Sequence, residues 1–486
     1  MKSTIHEYKK NNFLRVSKKI AISSLLLFLF AIPFGCSDMN DNAVPTSVEI
    51  KDFVWKGMNL YYLWQADVPD LADNRFANQS QLNTFLEPFA SPTDLFNHLR
   101  VPSPTDRFSV IYSDYTLLEG VLSGNTLNNG MDYGLKYTDA SHTTVFGWVR
   151  YILPNSDAVT KNIHRGAIFY AIDGTPLNND NYRTLLASNN YTVNLADYSN
   201  VGGVVTLTPN GQSVSLSKTA LAENPIFINT VINNGAHNIG YLMYNGFYAS
   251  YDSQLNTAFG SLVSQNVTDL VLDLRYNSGG SIASATKLAS MITGQFSGQL
   301  FAKQQWNAKA EAYYLANNPG SLQNIFVSGL NGLHLNKVYI LTSKSTASAS
   351  ELVVNCLKPY ITVVQIGDVT TGKNVGSITL YDSPSFTKTD VNPNHKYAMQ
   401  PLVLKIVDKN GFGDYTAGIT PTTSLPENLN NLGVLGNIDE PLLSTAINQI
   451  IASGKMLPQA PSVIERDFTD AKSINPLGSE MYLDNK

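Results

Sequence analysis

The strongest constraint on what this chain can fold into is a change of texture near Pro225. From there, short β-branched runs alternate with helical ones. Strands are predicted over 239–244, 270–274, 338–341, 361–366 and 402–407, with helices over 253–264, 281–293 and 349–357 between several of them. Strands alternating with helices argue for a layered α/β domain. A last helix is predicted over 444–453, and the polar remainder is expected to be loosely held.

The 486 residues are too many for one compact core, since domains usually run about 100–200 residues. Ahead of the α/β region two other textures occur. From Val48 to about Ser113 the pattern is mostly helical, with Phe53, Met58, Tyr61 and Leu63 near one face and a second short helix over 93–99. Between Met131 and Leu221 short strands are predicted over 133–137, 145–152, 167–172 and 204–208, with Asp173-Gly174 and Asn210-Gly211 as turns. The expected organisation is a leader over 1–35, a tether over 36–47, a small helical domain over 48–125, a β-rich domain over 126–224, the α/β domain over 225–455 and a C-terminal tail over 456–486.

In the leader, Lys2, Lys9, Lys10, Arg15, Lys18 and Lys19 precede an apolar run over 20–34. That run is short for a membrane span, which needs about 20 apolar residues, and suits a signal-peptide core. It ends in Pro33-Phe34-Gly35-Cys36. A small residue before a lone cysteine resembles a bacterial lipoprotein cleavage site, which implies lipid on Cys36 and attachment to the outer membrane in the cell envelope; an uncleaved anchor is the alternative. The formal charge of −5 already includes that basic leader, so the body is more acidic still. Such a body argues against nucleic-acid binding, which needs clustered Lys and Arg. Two cysteines give no disulfide framework, and neither C-x-x-C nor H-E-x-x-H occurs, so no metal or other cofactor is called for.

One stretch carries chemistry. The strand over 338–342 runs into Ser343-Lys344-Ser345-Thr346-Ala347-Ser348-Ala349-Ser350-Glu351 and then an amphipathic helix stopped before Pro359. This puts serines at a helix N-terminus, where free backbone N–H groups and the helix dipole favour developing negative charge. Acyl transfer needs such a place for its oxyanion. Serines are also simply good N-caps, and the pattern alone is satisfied by that role. Two further segments weigh against it. Asp273-Leu274-Arg275-Tyr276-Asn277-Ser278-Gly279-Gly280 follows a buried-looking strand with paired glycines that let backbone approach a carbonyl. Gly367 through Gly376 follows the next strand and presents Lys373 in a glycine-flanked turn. Glu351 reads as compensation of the helix dipole, and Cys356 as core.

Together these residues resemble the C-terminal processing (tail-specific) peptidases, serine proteases that use a Ser–Lys pair. Ser348-Ala349-Ser350-Glu351 matches the family signature, Gly372-Lys373 follows with Lys373 at 25 positions past Ser348, and the segment from Asp273 to Gly280 matches its oxyanion loop. The resemblance implies a ClpP/crotonase-like α/β core with an inserted β-rich PDZ-like domain and a small helical N-terminal domain. It implies Ser348 as nucleophile, Lys373 as general base, and the amides of Ala349 and of Gly279 or Gly280 as oxyanion donors, with polypeptides as substrates. Tyr133-Gly134-Leu135 resembles the carboxylate-binding loop by which PDZ domains hold a peptide. Members carry a third catalytic residue either eleven positions after the serine, here Pro359, or four after the lysine, here Ser377. Ser377 and Asn374 are the candidates left for that place.

A lysine base must be neutral, against a reference pKa of about 10.4, so it needs burial; Tyr276 and Val375 are the sequence's candidates for that apolar setting. A Ser–His–Asp triad assembled in space is the rival, with His334 nearest in sequence. The leading expectation is a lipid-anchored serine endopeptidase. The alternatives are a catalytically degenerate peptide-binding or adaptor lipoprotein and a small-molecule binder or hydrolase on the same scaffold.

Overall fold

The computed structural model describes residues 44–451, 466–474 and 478–484; the leader and Cys36 lie outside the described residues. The chain divides into two compact units. Of the described residues, one takes in 44–49 with Phe76–Pro88, and the other Ile50–Arg75 with those from Phe89 on.

Helix α1 (Glu49–Tyr61) buries Phe53, Val54, Trp55 and Met58. Helix α2 (Gln79–Leu86) belongs to the smaller unit and is capped by Asn78, whose side chain accepts from the Gln81 amide at 3.0 Å. Helix α3 (Pro92–His98) starts at Ser91 with proline in its first turn.

The β-rich region is one antiparallel sheet: β1 (Met131–Tyr137), β2 (Val145–Ile152), β3 (Ile168–Ile172), β4 (Asn190–Val201) and β5 (Val204–Ser217). The turn expected at Asn210-Gly211 lies inside β5, where the β4–β5 register shifts near Ala196; the hairpin turns at Gly202-Gly203 instead. An Asn-Gly pair fits a bulge as well as a turn, because either needs a positive φ.

The α/β region runs β6 (Ile226–Asn234), β7 (His237–Tyr244), α4 (Asp252–Ser264), β8 (Asp269–Asp273), β9 (Gly280–Ser281), α5 (Ile282–Thr293) and β10 (Leu300–Trp306). It continues with β11 (Lys337–Thr342), α6 (Ala349–Leu357), β12 (Thr362–Gly367), β13 (Val375–Ser377), β14 (Leu402–Asp408), β15 (Thr423–Ser424) and α7 (Pro441–Ile451). The central sheet has the order β6-β7-β8-β11-β12-β15, with β7 to β15 all parallel. Its period-two alternation feeds two cores. Leu242, Leu272, Val338 and Ile340 meet Phe259 of α4, Leu288 of α5 and Leu352 of α6 on one face. Tyr241, Met243, Val271 and Leu341 meet Ala446 and Ile450 of α7 and Trp148 and Tyr151 of β2 on the other. Each Val, Leu, Ile, Phe or Met among them contributes about 1.5–3 kcal/mol by leaving water.

The last described stretch is a correction to the sequence reading. Rather than being loosely held, it forms β16 (Asp467–Asp470) and β17 (Met481–Tyr482), with Asp470, Glu480, Met481 and Tyr482 buried. Strand β16 extends the β-rich sheet along β1, and β17 lies between β9 and β13 in a second sheet of order β9-β17-β13-β14-β10 with the edge strand Gln323–Ile325. The polar composition of the segment hides this, because its few apolar residues, among them the half-buried Phe468 and the buried Met481 and Tyr482, pack against edges that other parts of the chain supply.

Candidate active site

Parallel registry sets the site. Asp273 pairs with Leu341, and Leu341 with Ile366, so the loops after β8, β11 and β12 leave the same edge of the sheet. Ligand sites of open parallel sheets lie off that carboxyl edge. The three loops are the oxyanion-loop segment, the serine segment and the lysine turn.

Ser348 sits between β11 and α6 at φ 64°, ψ −116°, a conformation that non-glycine residues avoid. Such strain, on the order of 1–3 kcal/mol, persists only where surroundings over-determine it. Here they do. The Ala347 amide and the Ser350 hydroxyl both donate to the Asn277 carbonyl, at 3.1 and 3.0 Å, while the Ser348 amide donates to Glu351 Oε2 at 2.8 Å. The Ser348 Oγ itself is buried without a hydrogen-bond partner.

Glu351 does more than balance a dipole. Its Oε2 also accepts from the Lys373 amide at 2.8 Å, and its Oε1 accepts from the Gly372 amide at 2.6 Å and from the Thr370 hydroxyl. One fully buried carboxylate thus ties the serine segment to the lysine turn. Burial pushes this carboxyl above its ordinary value, against four hydrogen bonds that favour the ionised form.

The oxyanion loop is built around Asn277. Its side chain donates to the Tyr244 carbonyl at 2.8 Å and accepts from the Gly279 amide at 2.9 Å. Gly279 and Gly280 hold φ of 116° and 136°. A Cβ on Gly279 would lie 2.7 Å from Ser348 Cβ and 2.1 Å from the Glu480 carbonyl oxygen; one on Gly280 would lie 2.3 Å from the Phe247 carbonyl oxygen. Only glycine fits either place. Behind them Arg275, wholly buried, grips Glu440 with two bonds of 2.7 and 3.0 Å and Asp273 with its Nε.

Lys373 is as buried as Ser348, both at 0% exposure. Its amine lies 4.6 Å from the centroid of the Phe108 ring, which provides an apolar wall. Burial pulls the amine below its ordinary value, with Glu480 opposing. The expected Ser348–Lys373 hydrogen bond is not formed. Lys373 Nζ donates instead to the Ser479 carbonyl and stands 3.4 Å from Glu480 Oε2. No histidine is hydrogen-bonded to Ser348, whose hydroxyl is unpartnered; His237 and His395 pair with Asp269 and Asp382 elsewhere.

Ser377 Oγ is 3.1 Å from Glu480 Oε2 and accepts from Gln400 at 3.0 Å. Asn374 donates to the Gly413 carbonyl, away from the amine. Tyr133, Gly134 and Leu135 lie within β1 and not in a loop, because Gly134 and Leu135 pair with β2 on one side and with β16 on the other. Cys356 is buried in α6, and burial pushes its thiol far above the usual range. Among the described residues no group of three or more His, Cys, Asp or Glu is placed to hold a metal. Beside the glycines lies a cavity of about 230 Å³, reached by Tyr133 and Asp132 of β1, Ser278, Lys472 and Glu480.

Of these residues the sequence marked Ser348, Lys373, Ala349, Gly279, Gly280 and Asn277. It gave no sign of Phe108 or Glu480. The bridging role of Glu351 was open to reading, since Ser-x-x-Glu has the capping-box spacing.

The model of Peptidase family S41 matches residues 238–393, and that of the Peptidase S41 N-terminal domain matches residues 49–110. Carboxyl-terminal-processing peptidase 2, chloroplastic, of Arabidopsis thaliana is 27% identical over 212 residues, 40% of this chain and 37% of that protein. Carboxyl-terminal-processing protease of a Picosynechococcus species is 24% identical over 164 residues, 34% of this chain and 36% of that protein. The chain thus spans little more than a third of the length of these curated relatives. The crystal structure of a putative S41 protease from Bacteroides fragilis superposes with a TM-score of 0.63 at 26% identity, covering 83% of this chain and 97% of that one.

Proposed function

Because the chain belongs to peptidase family S41, we propose that it is a serine endopeptidase in which Ser348 is the nucleophile and Lys373 the general base. The observation that carries this reading is the Glu351 carboxylate, which gathers the backbones of Ser348 and Lys373 beside a glycine pair. A neutral Lys373 amine takes the Ser348 proton as Oγ attacks a peptide carbonyl. The resulting oxyanion is held by the Ala349 amide at the start of α6 and by an oxyanion-loop amide. Gly279 donates to Asn277, so Gly280 is the loop donor free to exchange partners, and Gly279 serves close approach. The amine returns the proton to the leaving nitrogen, and water repeats the sequence on the acyl-enzyme.

The β-rich sheet is read as a PDZ-like insert on a ClpP/crotonase-like core. It supports capture of an extended polypeptide, because its edge strand β1 already accepts a strand in antiparallel pairing. A soluble form beginning after Cys36 is expected to cleave an unstructured protein, and more slowly when the substrate carboxyl terminus is amidated. Ser348→Ala and Lys373→Ala should each lower the rate by about a thousandfold or more. Unchanged hydrolysis in both variants would discard the pair.

A second reading, a binding or adaptor protein with an idle core, is favoured by the engagement of Lys373 Nζ with the Ser479 carbonyl in place of Ser348. Modification of Ser348 by a fluorophosphonate probe decides for the enzyme. Attachment through lipid on Cys36 is proposed from the leader pattern. Fatty-acid labelling in cells should mark the protein and vanish in Cys36→Ala; labelling that persists there refutes the anchor.

A further inference from the structure

The segment that disables the Ser348–Lys373 bond is part of the chain itself. Its carbonyls and one carboxylate meet the groups assigned above to catalysis. The Glu480 carbonyl accepts from the Gly280 amide at 2.5 Å, and the Ser479 carbonyl accepts from Lys373 Nζ. The Glu480 carboxylate lies against Lys373 and Ser377. Beyond it, Met481 and Tyr482 run as β17 parallel to both β9 and β13, with Gly280 opposite Met481 and Ser377 opposite Tyr482. The Leu483 amide donates to the Ser377 carbonyl at 3.1 Å, and Asp484 accepts from the Ser281 hydroxyl.

We propose that residues 478–484 are a tethered ligand lying in the cleft that takes the substrate backbone, and that the cleft therefore binds an extended polypeptide strand with an acidic side chain beside Lys373. This rests on the peptidase reading above and deepens it. An extended strand laid between the oxyanion loop and the lysine strand is the form in which a polypeptide substrate presents its carbonyls, and a carbonyl on Gly280 is where an acyl oxygen must sit. While the segment is bound, Ser348 and Lys373 are sealed from water and the base is engaged elsewhere.

An earlier part of the same stretch occupies the other peptide-binding edge. Strand β16 pairs with Gly134, Leu135 and Lys136 of β1, and Lys136 pairs with Asp467. Asp470 accepts from Arg150 of β2 at 3.2 Å and from Ser345 of the serine segment at 2.6 Å. Lys472 donates to the carbonyls of Asn245 and Tyr276. One stretch of chain therefore fills both the β1 edge and the catalytic cleft, as a bound substrate reaching from one to the other would. The binding-competent state is then a fraction of the population, and whatever displaces the segment raises the rate by the inverse of that fraction.

The test uses the soluble chain beginning after Cys36, a form of it ending at Ile474, and the full-length Glu480→Lys variant, which sets a like charge against Lys373. A fluorescein-labelled peptide with the sequence of residues 478–484 is the probe. Release of the segment should raise cleavage of an unstructured protein by about tenfold or more in the shortened form and in Glu480→Lys. The labelled peptide should bind the shortened form, inhibit it, and bind about tenfold more weakly when it carries lysine in place of its glutamate. A shortened form that keeps its melting temperature yet neither gains activity nor binds the peptide overturns the proposal. If shortening prevents folding, Glu480→Lys decides alone: a raised rate supports the proposal, and an unchanged or lowered rate makes β17 a structural strand. Peptide binding is read without catalysis, so a chain that binds the peptide but cleaves nothing in any form would refute the peptidase reading while leaving the tethered ligand standing.

Discussion

Glu351 concentrates more hydrogen-bond donors than any other side chain of the site, and the count decides what a substitution does. Three backbone amides and one hydroxyl point at two oxygens. In Glu351→Gln one oxygen becomes an NH2 that cannot accept, so at least one buried amide is stranded. Hydrogen bonds to a charged group are worth about 1.5–3 kcal/mol each, and a stranded buried donor costs about 1–3 kcal/mol. We expect Glu351→Gln to lose about 2–4 kcal/mol of stability in denaturant melts. We also expect a fall in kcat with little change in KM, because the substrate's binding edges are untouched while Ser348 and Lys373 lose their common anchor. A kcat that is unchanged per folded molecule, the loss tracking only the folded fraction, would make Glu351 a folding residue only.

At the scale of elements, the sequence was most legible where one period governs a segment. The strand over 145–152 and the helix over 349–357 coincide with β2 and α6, and the alternation of strands with helices after Pro225 is the layered α/β order found there. Glycines and serines were legible for a different reason: their demands are local, a positive φ at Gly279 and Gly280 or a helix start at Ser348. What stayed hidden depends on partners far along the chain. Strand β4 was not among the expected strands, although Tyr191, Val193 and Leu195 alternate inward along it. Strands β16 and β17 are only four and two residues long and carry no period at all; their reason to exist is the open edge of β1 and the gap between β9 and β13. Phe108 was invisible likewise, since its only signal is a lysine 265 positions further on. A catalytic motif is a statement about backbone geometry, whereas what fills its cleft is a statement about topology.

For the larger unit taken whole, the β-rich sheet and the α/β core are joined through a buried charge cluster that acid can open. Glu427 sits with Arg165 of the β-rich region on one side and Arg275 of the oxyanion loop on the other, at 2.8 and 3.2 Å, and accepts from Tyr276. Burial alone would raise its carboxyl, but the two guanidinium groups prevail and hold it down to about 2, against an ordinary 4.5. A folded-state pKa below the unfolded one means that the unfolded chain binds the proton more tightly, so the stabilisation is complete above the unfolded value and drains away as pH falls towards the folded one. The difference corresponds to about 3 kcal/mol, present at pH 6 and largely gone near pH 2. Denaturant melts at pH 6 and pH 3 should therefore show a steep loss in the natural chain. In Glu427→Gln the stability at pH 6 should already be lower, and the loss on acidification smaller by about 2 kcal/mol. Because Arg165 and Arg275 come from the two different regions, amide exchange near pH 3, set against its intrinsic rate, should quicken first in Tyr276 and its neighbours, where the two regions meet, and not in the hairpin β4–β5 beyond them. Identical pH slopes in the two proteins would mean that the junction is held by the packing of Trp148 and Tyr151 on Tyr276, with the ion cluster contributing nothing to it.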